Sequence, residues 1–299
     1  MDTDNAKAVE ELKLYVSEKK YRIQFRDFVH SEVECVVERT STDVYVVDGN
    51  EVPALNTESI TSRVRSYEEK CSKLLAMASV GGFWAEPEHH IVWKRALERL
   101  CPSEPVSGLE PWLSLRRYPA TLLLYALGLG AVEANRLGFL GDILATTVKR
   151  KNSEDVSASE ALPPFCLLSD KRWMELLEGM ERRHAPLNDW MFANLRDILR
   201  DIVPSDERYA WAFDRFEILA ALACGHRYNP IYKEYFAPPG VFGYRHENRT
   251  RYFDEIRASF GRYGDGSPFV ESGIFGANAQ ECMGELEKLE TFVGQLRWW

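Results

Sequence analysis

Along most of the chain apolar residues recur three and four positions apart, the spacing that lines one face of a helix. Ala6, Val9, Leu12 and Val16 mark a first helix over 5–19, and Phe28, Val29, Val33, Val36 and Val37 a second over 25–39. The plainest pattern covers 58–79, where Ile60, Val64, Tyr67, Cys71, Leu74, Leu75 and Ala78 trace one face, with Gly81-Gly82 as the predicted stop. Glu86-Pro87 predicts the next start, because proline suits a first turn whose N–H needs no partner, and Cys101-Pro102 predicts its end. Residues 119–148 predict a helical hairpin turning near Asn135. Its first arm contains Gly128 and Gly130, each costing roughly 1 kcal/mol relative to Ala, tolerable where another helix packs close against the backbone. Further helices are predicted over 170–183, 189–202, 206–224, 250–260 and 279–297, the last opened by Asn278 and Glu281 spaced as an N-cap pair.

Two stretches break this rhythm. Asp43 to Gly49 is β-rich and ends on Asp48-Gly49-Asn50, a turn signal. Lys149 to Ala161 is polar and without apolar periodicity. The fold expected is therefore all-α: packed helical hairpins in one or two lobes, with at most one short isolated strand or hairpin near 43–52. The division expected is a helical lobe over 1–150, a polar loop or linker over 151–164, and a helical lobe over 165–299.

Charge narrows the partners. The net charge is −9, with 19 basic against 22 acidic residues in 1–150 and 18 against 24 in the remainder. Neither half attracts nucleic acid or an anionic membrane as a whole. The longest apolar run, Ala120 to Val132, is too short to span a bilayer. The N-terminus is acidic with no apolar stretch behind it, unlike a signal peptide, and the six cysteines are scattered singly. A cytoplasmic chain with reduced thiols is expected.

No complete catalytic motif emerges, and the reading leans away from an enzyme. There is no Gly-Lys-Ser/Thr for phosphate binding and no Gly-x-Ser-x-Gly elbow. His89 and His90, flanked by Glu86 and Glu88, form the densest metal-like cluster, but neighbouring helical positions point about 100° apart and do not chelate one ion together. An exposed first helical turn is preferred, and no metal, cofactor or catalytic residue is assigned. The polar region that stands out is Phe242 to Tyr263, where aromatics alternate with arginines. Tyr244, Arg245, Arg249, Arg251 and Tyr252 are its candidate partner-binding residues. Such a tract suits ordinary packing first, a protein interface second and single-stranded nucleic acid third.

Three segments carry a family resemblance. The first is Tyr67-Glu68-Glu69 with Gly81-Gly82-Phe83-Trp84 and the run from Trp93 to Leu100; the second runs from Trp112 to Gly128; the third is Ala237-Pro-Pro-Gly-Val-Phe-Gly-Tyr-Arg245. Together, over roughly 60–250, they resemble the helical C-terminal region of bacterial defence-type multidomain proteins with sirtuin-like, TIR-like or Schlafen-type N-terminal domains. Where that pattern has Arg in the third segment this chain has Val241, which speaks against an anion contact there. The resemblance further implies that the effector chemistry resides in another subunit or in a removed segment. The function expected is a non-enzymatic sensor, scaffold or regulatory subunit of an antiphage-type system, acting on a protein partner, either an effector subunit or a second copy of itself. The alternative is a nucleic-acid-binding module or a nuclease-type enzyme with scattered acidic residues.

Overall fold

The computed structural model describes residues 3–102, 107–150, 154–168, 173, 175–232 and 235–296. The helices α1 (Thr3–Ser17), α2 (Arg22–Arg39), α3 (Thr57–Trp84), α4 (Pro87–Leu100), α5 (Glu110–Leu115), α6 (Tyr118–Glu133) and α7 (Leu137–Leu144) come first. A two-stranded antiparallel hairpin follows, β1 (Thr147–Lys149) and β2 (Asp155–Ser157), with Val148 opposite Val156. The second half holds α8 (Ala158–Ala161), α9 (Pro164–Leu167), α10 (Pro186–Asn194), α11 (Asp206–Tyr232), α12 (His246–Tyr263), α13 (Pro268–Glu271) and α14 (Ala279–Gln295).

Helix α6 is the hub. Every residue from Tyr118 to Val132 is buried, as expected of a helix that is apolar all round, and α3, α4, α7, α9 and α11 pack against it. Its closest neighbour is α3. A Cβ on Gly130 would lie 2.3 Å from the Ser79 carbonyl oxygen, and one on Gly82 would lie 2.2 Å from that of Leu127. Three residues forward on α6 thus correspond to three back on α3: the two helices run antiparallel with backbone against backbone. Gly128 makes room for the Phe216 ring of α11 in the same way. The same requirement explains why α3 does not stop at Gly81-Gly82 as predicted but continues to Trp84. Gly81 lies under the Trp93 indole, so both glycines serve close packing rather than termination.

One cluster of buried side chains extends from Ala8 to Val293. All six cysteines are free, and no helix among the described residues is long and apolar enough to cross a membrane.

The short hairpin lies at 147–157, not near 43–52. Residues 43–52 form turns, with Tyr45 N–H donating back to Ser41 O, since no neighbouring segment offers a ladder. The β-rich side chains there serve packing: the Arg63 guanidinium is sandwiched between the Tyr45 and Trp112 rings, 4.7 Å from each centroid. The stretch 151–164, expected as polar loop, carries β2, α8 and the start of α9. Its polar letters are a cap: Ser157 donates through both N–H and Oγ to the Glu160 carboxylate, at 3.0 and 2.6 Å, and opens α8. Lys151 to Ser153 lie outside the described residues. The helix predicted over 189–202 ends at Asn194, and 175–183, read as part of another, are turns and bends with Gly179 at φ 76°. The N-cap pair before α14 is present, Glu281 N–H donating to Asn278 Oδ1 at 2.9 Å.

Candidate functional site

Helix α11 presents an apolar stripe of Tyr209, Phe213 and Phe216 to the core, and two carboxylates interrupt it, Asp214 and Glu217. The segment Ala237–Arg245 folds over them as an extended strap that tightens into a 3-10 turn at Val241–Gly243 before α12. Gly240 sets the distance: a Cβ there would lie 2.3 Å from Glu217 Oε2, so only glycine lets the strap close on the acid.

Glu217 is fully enclosed. Tyr125 OH from α6 and Asn188 Nδ2 from α10 donate to its Oε1, at 3.1 and 2.6 Å, and Phe242 N–H donates to Oε2 at 3.4 Å. No cation faces it. Burial pushes its carboxyl up to about 8, and nearby Asp214 pushes the same way, so Glu217 holds a proton at neutral pH. One turn earlier, Asp214 accepts from Arg245 Nη1 at 3.3 Å and Asn248 Nδ2 at 2.6 Å; burial still lifts it to about 6 against the pull of Arg245. A third acid, Asp189 of α10, accepts from Tyr244 OH at 2.5 Å and is also raised by burial. The space beside Glu217 is about 20 Å³, room for one water. A larger molecule reaches this carboxyl only if the strap lifts. In the closed state the arrangement holds five separate segments together.

The five arginine–aromatic candidates are therefore not one surface. Tyr244 and Arg245 belong to the strap's network, Arg245 also stacking 4.0 Å over the Phe192 ring. Arg249 turns back to donate to Gly243 O and meets His246 Nδ1 at 2.7 Å. Tyr252 is buried between Trp211 and Phe269 and is a core residue. Arg251 is exposed, its guanidinium 4.7 Å above Trp211. Asp254 and Glu255 pair elsewhere, with Arg257 and Arg215. This division predicts unequal effects. Arg245→Ala leaves Asp214 buried with Asn248 alone and should cost about 2–3 kcal/mol, below the loss for a fully buried pair because Arg245 is partly exposed. Arg251→Ala should cost no more than about 0.5–1 kcal/mol. Urea denaturation midpoints at pH 7 compare the two, and equal losses would contradict the assignment.

Nor do His89 and His90 act together. His89 is buried, and its Nδ1 accepts the Glu86 N–H at 3.2 Å, closing the first turn of α4; His90 Nδ1 meets Asp142 Oδ2 at 2.5 Å. Among the described residues no group of three or more His, Cys, Asp or Glu is placed to hold a metal ion. Glu217 and Asp214 were missed from the sequence, although two acids three apart on an otherwise apolar stripe are a readable signal.

A groove of about 660 Å³ opens on the surface between α2 and α4. The helices are pinned at one end by the Phe25 ring against His89 and Trp93, with centroids 4.6 and 5.9 Å apart. They are pinned at the other by Arg99, which donates through Nε and Nη2 to both Glu34 oxygens at 2.6 and 2.9 Å. Between these pins the small side chains Val29, Val33 and Ala96 leave a trough, walled by Val92 and by Ile91, which is 50% exposed. Arg95 stands on its rim with no ion pair among the described residues. No protein-family model, no curated protein and no solved structure matches this chain.

Proposed function

We propose that this chain is a non-enzymatic sensor, scaffold or regulatory subunit of a defence-type system, working through protein–protein contact, and that the α2–α4 groove is its contact surface. The defence setting rests on the resemblance of the three segments. The contact reading rests on the groove: an apolar floor of Val29, Val33 and Ala96 inside a rim of both charge signs is the anatomy of a protein interface. A trough between two helices, closed at both ends, suits the apolar face of one amphipathic helix from a partner. Arg95 offers a charge for that helix to meet.

The test is co-expression with the products of neighbouring genes, read by native mass spectrometry, for the parent and for Ile91→Asp. Because Ile91 is half exposed, its replacement leaves the core intact and the helical circular-dichroism signal unchanged. Complex formation should weaken at least tenfold. A chain that stays a lone monomer beside every neighbour, or a complex indifferent to Ile91→Asp, overturns the proposal.

A further inference from the structure

The strap is a segment whose own sequence keeps it from being laced into the fold. Pro238 and Pro239 have no N–H to donate. The backbone bonds that follow close within the strap itself, Gly243 N–H on Gly240 O and the Tyr244 and Arg245 N–H groups on Val241 O. Its ties to α10 and α11 end on carboxylates instead. Phe242 N–H donates to Glu217, Tyr244 OH to Asp189 and Arg245 Nη1 to Asp214.

These acids are not alike. Asp214 has Arg245 beside it, and Asp189 has Arg183, His184 and Arg245 nearby, but Glu217 has no cation. The titratable groups around Glu217 are Tyr125 from α6, Tyr209 and Asp214 on α11 itself and Tyr244 from the strap. From α10 comes the Asn188 amide, and from α8 the Ser159 hydroxyl. An ionised Glu217 is therefore a buried anion among neutral donors, with a second acid one turn away. Bulk water would stabilise it, but the space beside it is only about 20 Å³. A further space of about 10 Å³, walled by Phe165 and His184, shares Asn188 and Pro239 with the first. Lifting Pro239 joins the two and lets water in.

We infer that the strap is a pH-operated gate, closed over Glu217 while that carboxyl is protonated and opened when it ionises, uncovering Tyr125, Ser159, Asn188 and Glu217 to solvent. The sign follows from proton linkage. The closed form keeps a proton that the open form releases, so between the ordinary 4.5 and about 8 each pH unit favours opening about tenfold. Opening is local: the α3–α6 seam stays packed, and the α2–α4 groove plays no part in it.

Amide hydrogen exchange on the full chain, read by mass spectrometry at pH 6 and pH 7.5 and corrected for intrinsic rate, tests the gate. The amides of 241–245 should be less protected than those of α6 at both pH values, because they open without global unfolding. Their protection should fall at least tenfold from pH 6 to pH 7.5. In Glu217→Gln the fall should be no more than about threefold, the remainder coming from Asp214 and Asp189. Should that variant fail to fold, Gly240→Ala replaces it: a methyl 2.3 Å from Glu217 Oε2 keeps the strap from seating, so its protection at pH 6 should drop at least tenfold while α6 stays better protected. Strap amides as protected as those of α6 in the parent overturn the proposal, as does protection that ignores pH. So does an equal fall in Glu217→Gln, or a Gly240→Ala strap protected like the parent's.

Discussion

Gly130→Ala is expected to destabilise the protein by about 3 kcal/mol or more, despite replacing the poorer helix former with the best one. The new methyl would lie 2.3 Å from the Ser79 carbonyl oxygen and 2.9 Å from the Phe83 nitrogen, both backbone atoms that no rotamer change can move aside. Gly82→Ala meets the Leu127 carbonyl at 2.2 Å and should cost as much. Because both methyls push the same two helices apart, the double variant should lose less than the sum of the single losses. Gly284→Ala is the control: it lies inside α14 with nothing within 4 Å of a Cβ, and should gain about 0.4–1 kcal/mol. Urea unfolding of the parent and the four variants reads all of this. A neutral Gly130→Ala would mean that the α3–α6 contact is looser than described.

Glu217 provides the second large effect. In Glu217→Ala, Tyr125 OH, Asn188 Nδ2 and Phe242 N–H lose a shared acceptor in a buried site and a cavity opens, for an expected cost of about 3–5 kcal/mol. Glu217→Gln keeps the shape and the acceptor for Tyr125 and Asn188, and should cost less than half as much. The pH dependence separates these variants further. A carboxyl with a raised folded pKa keeps in the fold a proton that the unfolded chain has released. Stability therefore falls as pH rises from the ordinary 4.5 to about 8 for Glu217, and from 3.8 to about 6 for Asp214. Unfolding measured at pH 5 and pH 8.5 should show the parent less stable at the higher pH, with Glu217→Gln retaining only the smaller part due to Asp214 and the other carboxyls that burial raises, Asp189, Glu68 and Glu133. A parent whose stability rises over that interval would exclude a protonated Glu217.

Much of the fold is written in local patterns, and the features that are not have identifiable causes. The α3 stripe from Ile60 to Ala78, the start at Glu86-Pro87 and the Asn278–Glu281 pair all depend on residues within a turn or two of each other, and each forms as read. Gly81-Gly82 was misjudged because a glycine pair reads as a stop until Trp93 and Leu127 are known to press on it. The hairpin at 147–157 has three residues per strand, too few for alternation to register, while the β-rich letters at 43–49 lack a partner strand. The strap stood out only as the run Ala237 to Arg245, with Tyr244 and Arg245 among the candidate partner-binding residues. What closes it was not visible. Asn188 and Tyr125 lie 29 and 92 residues from Glu217, and nothing in a local pattern announces such a meeting. The α2–α4 trough arises from small side chains on two separate helices, which no local pattern brings together.

The glycine seam also decides where the molecule can yield. Elsewhere in the core a neighbour that shifts is absorbed by side chains changing rotamer, a soft response spread over many torsions. Between Gly82 and Gly130 there are no side chains to rearrange, only peptide planes already touching, so the two helices behave as one strut that can slide or hinge as a unit but not compress. The α2–α4 groove leans on this strut from one side, through α2 against α3 and α4 against α6, and α11 with its buried acids leans on it from another. A load applied by a partner in the groove would pass across the α3–α6 seam without being taken up there, and would be absorbed only at the side chains, Phe216 and Tyr125 among them, that join the strut to α11.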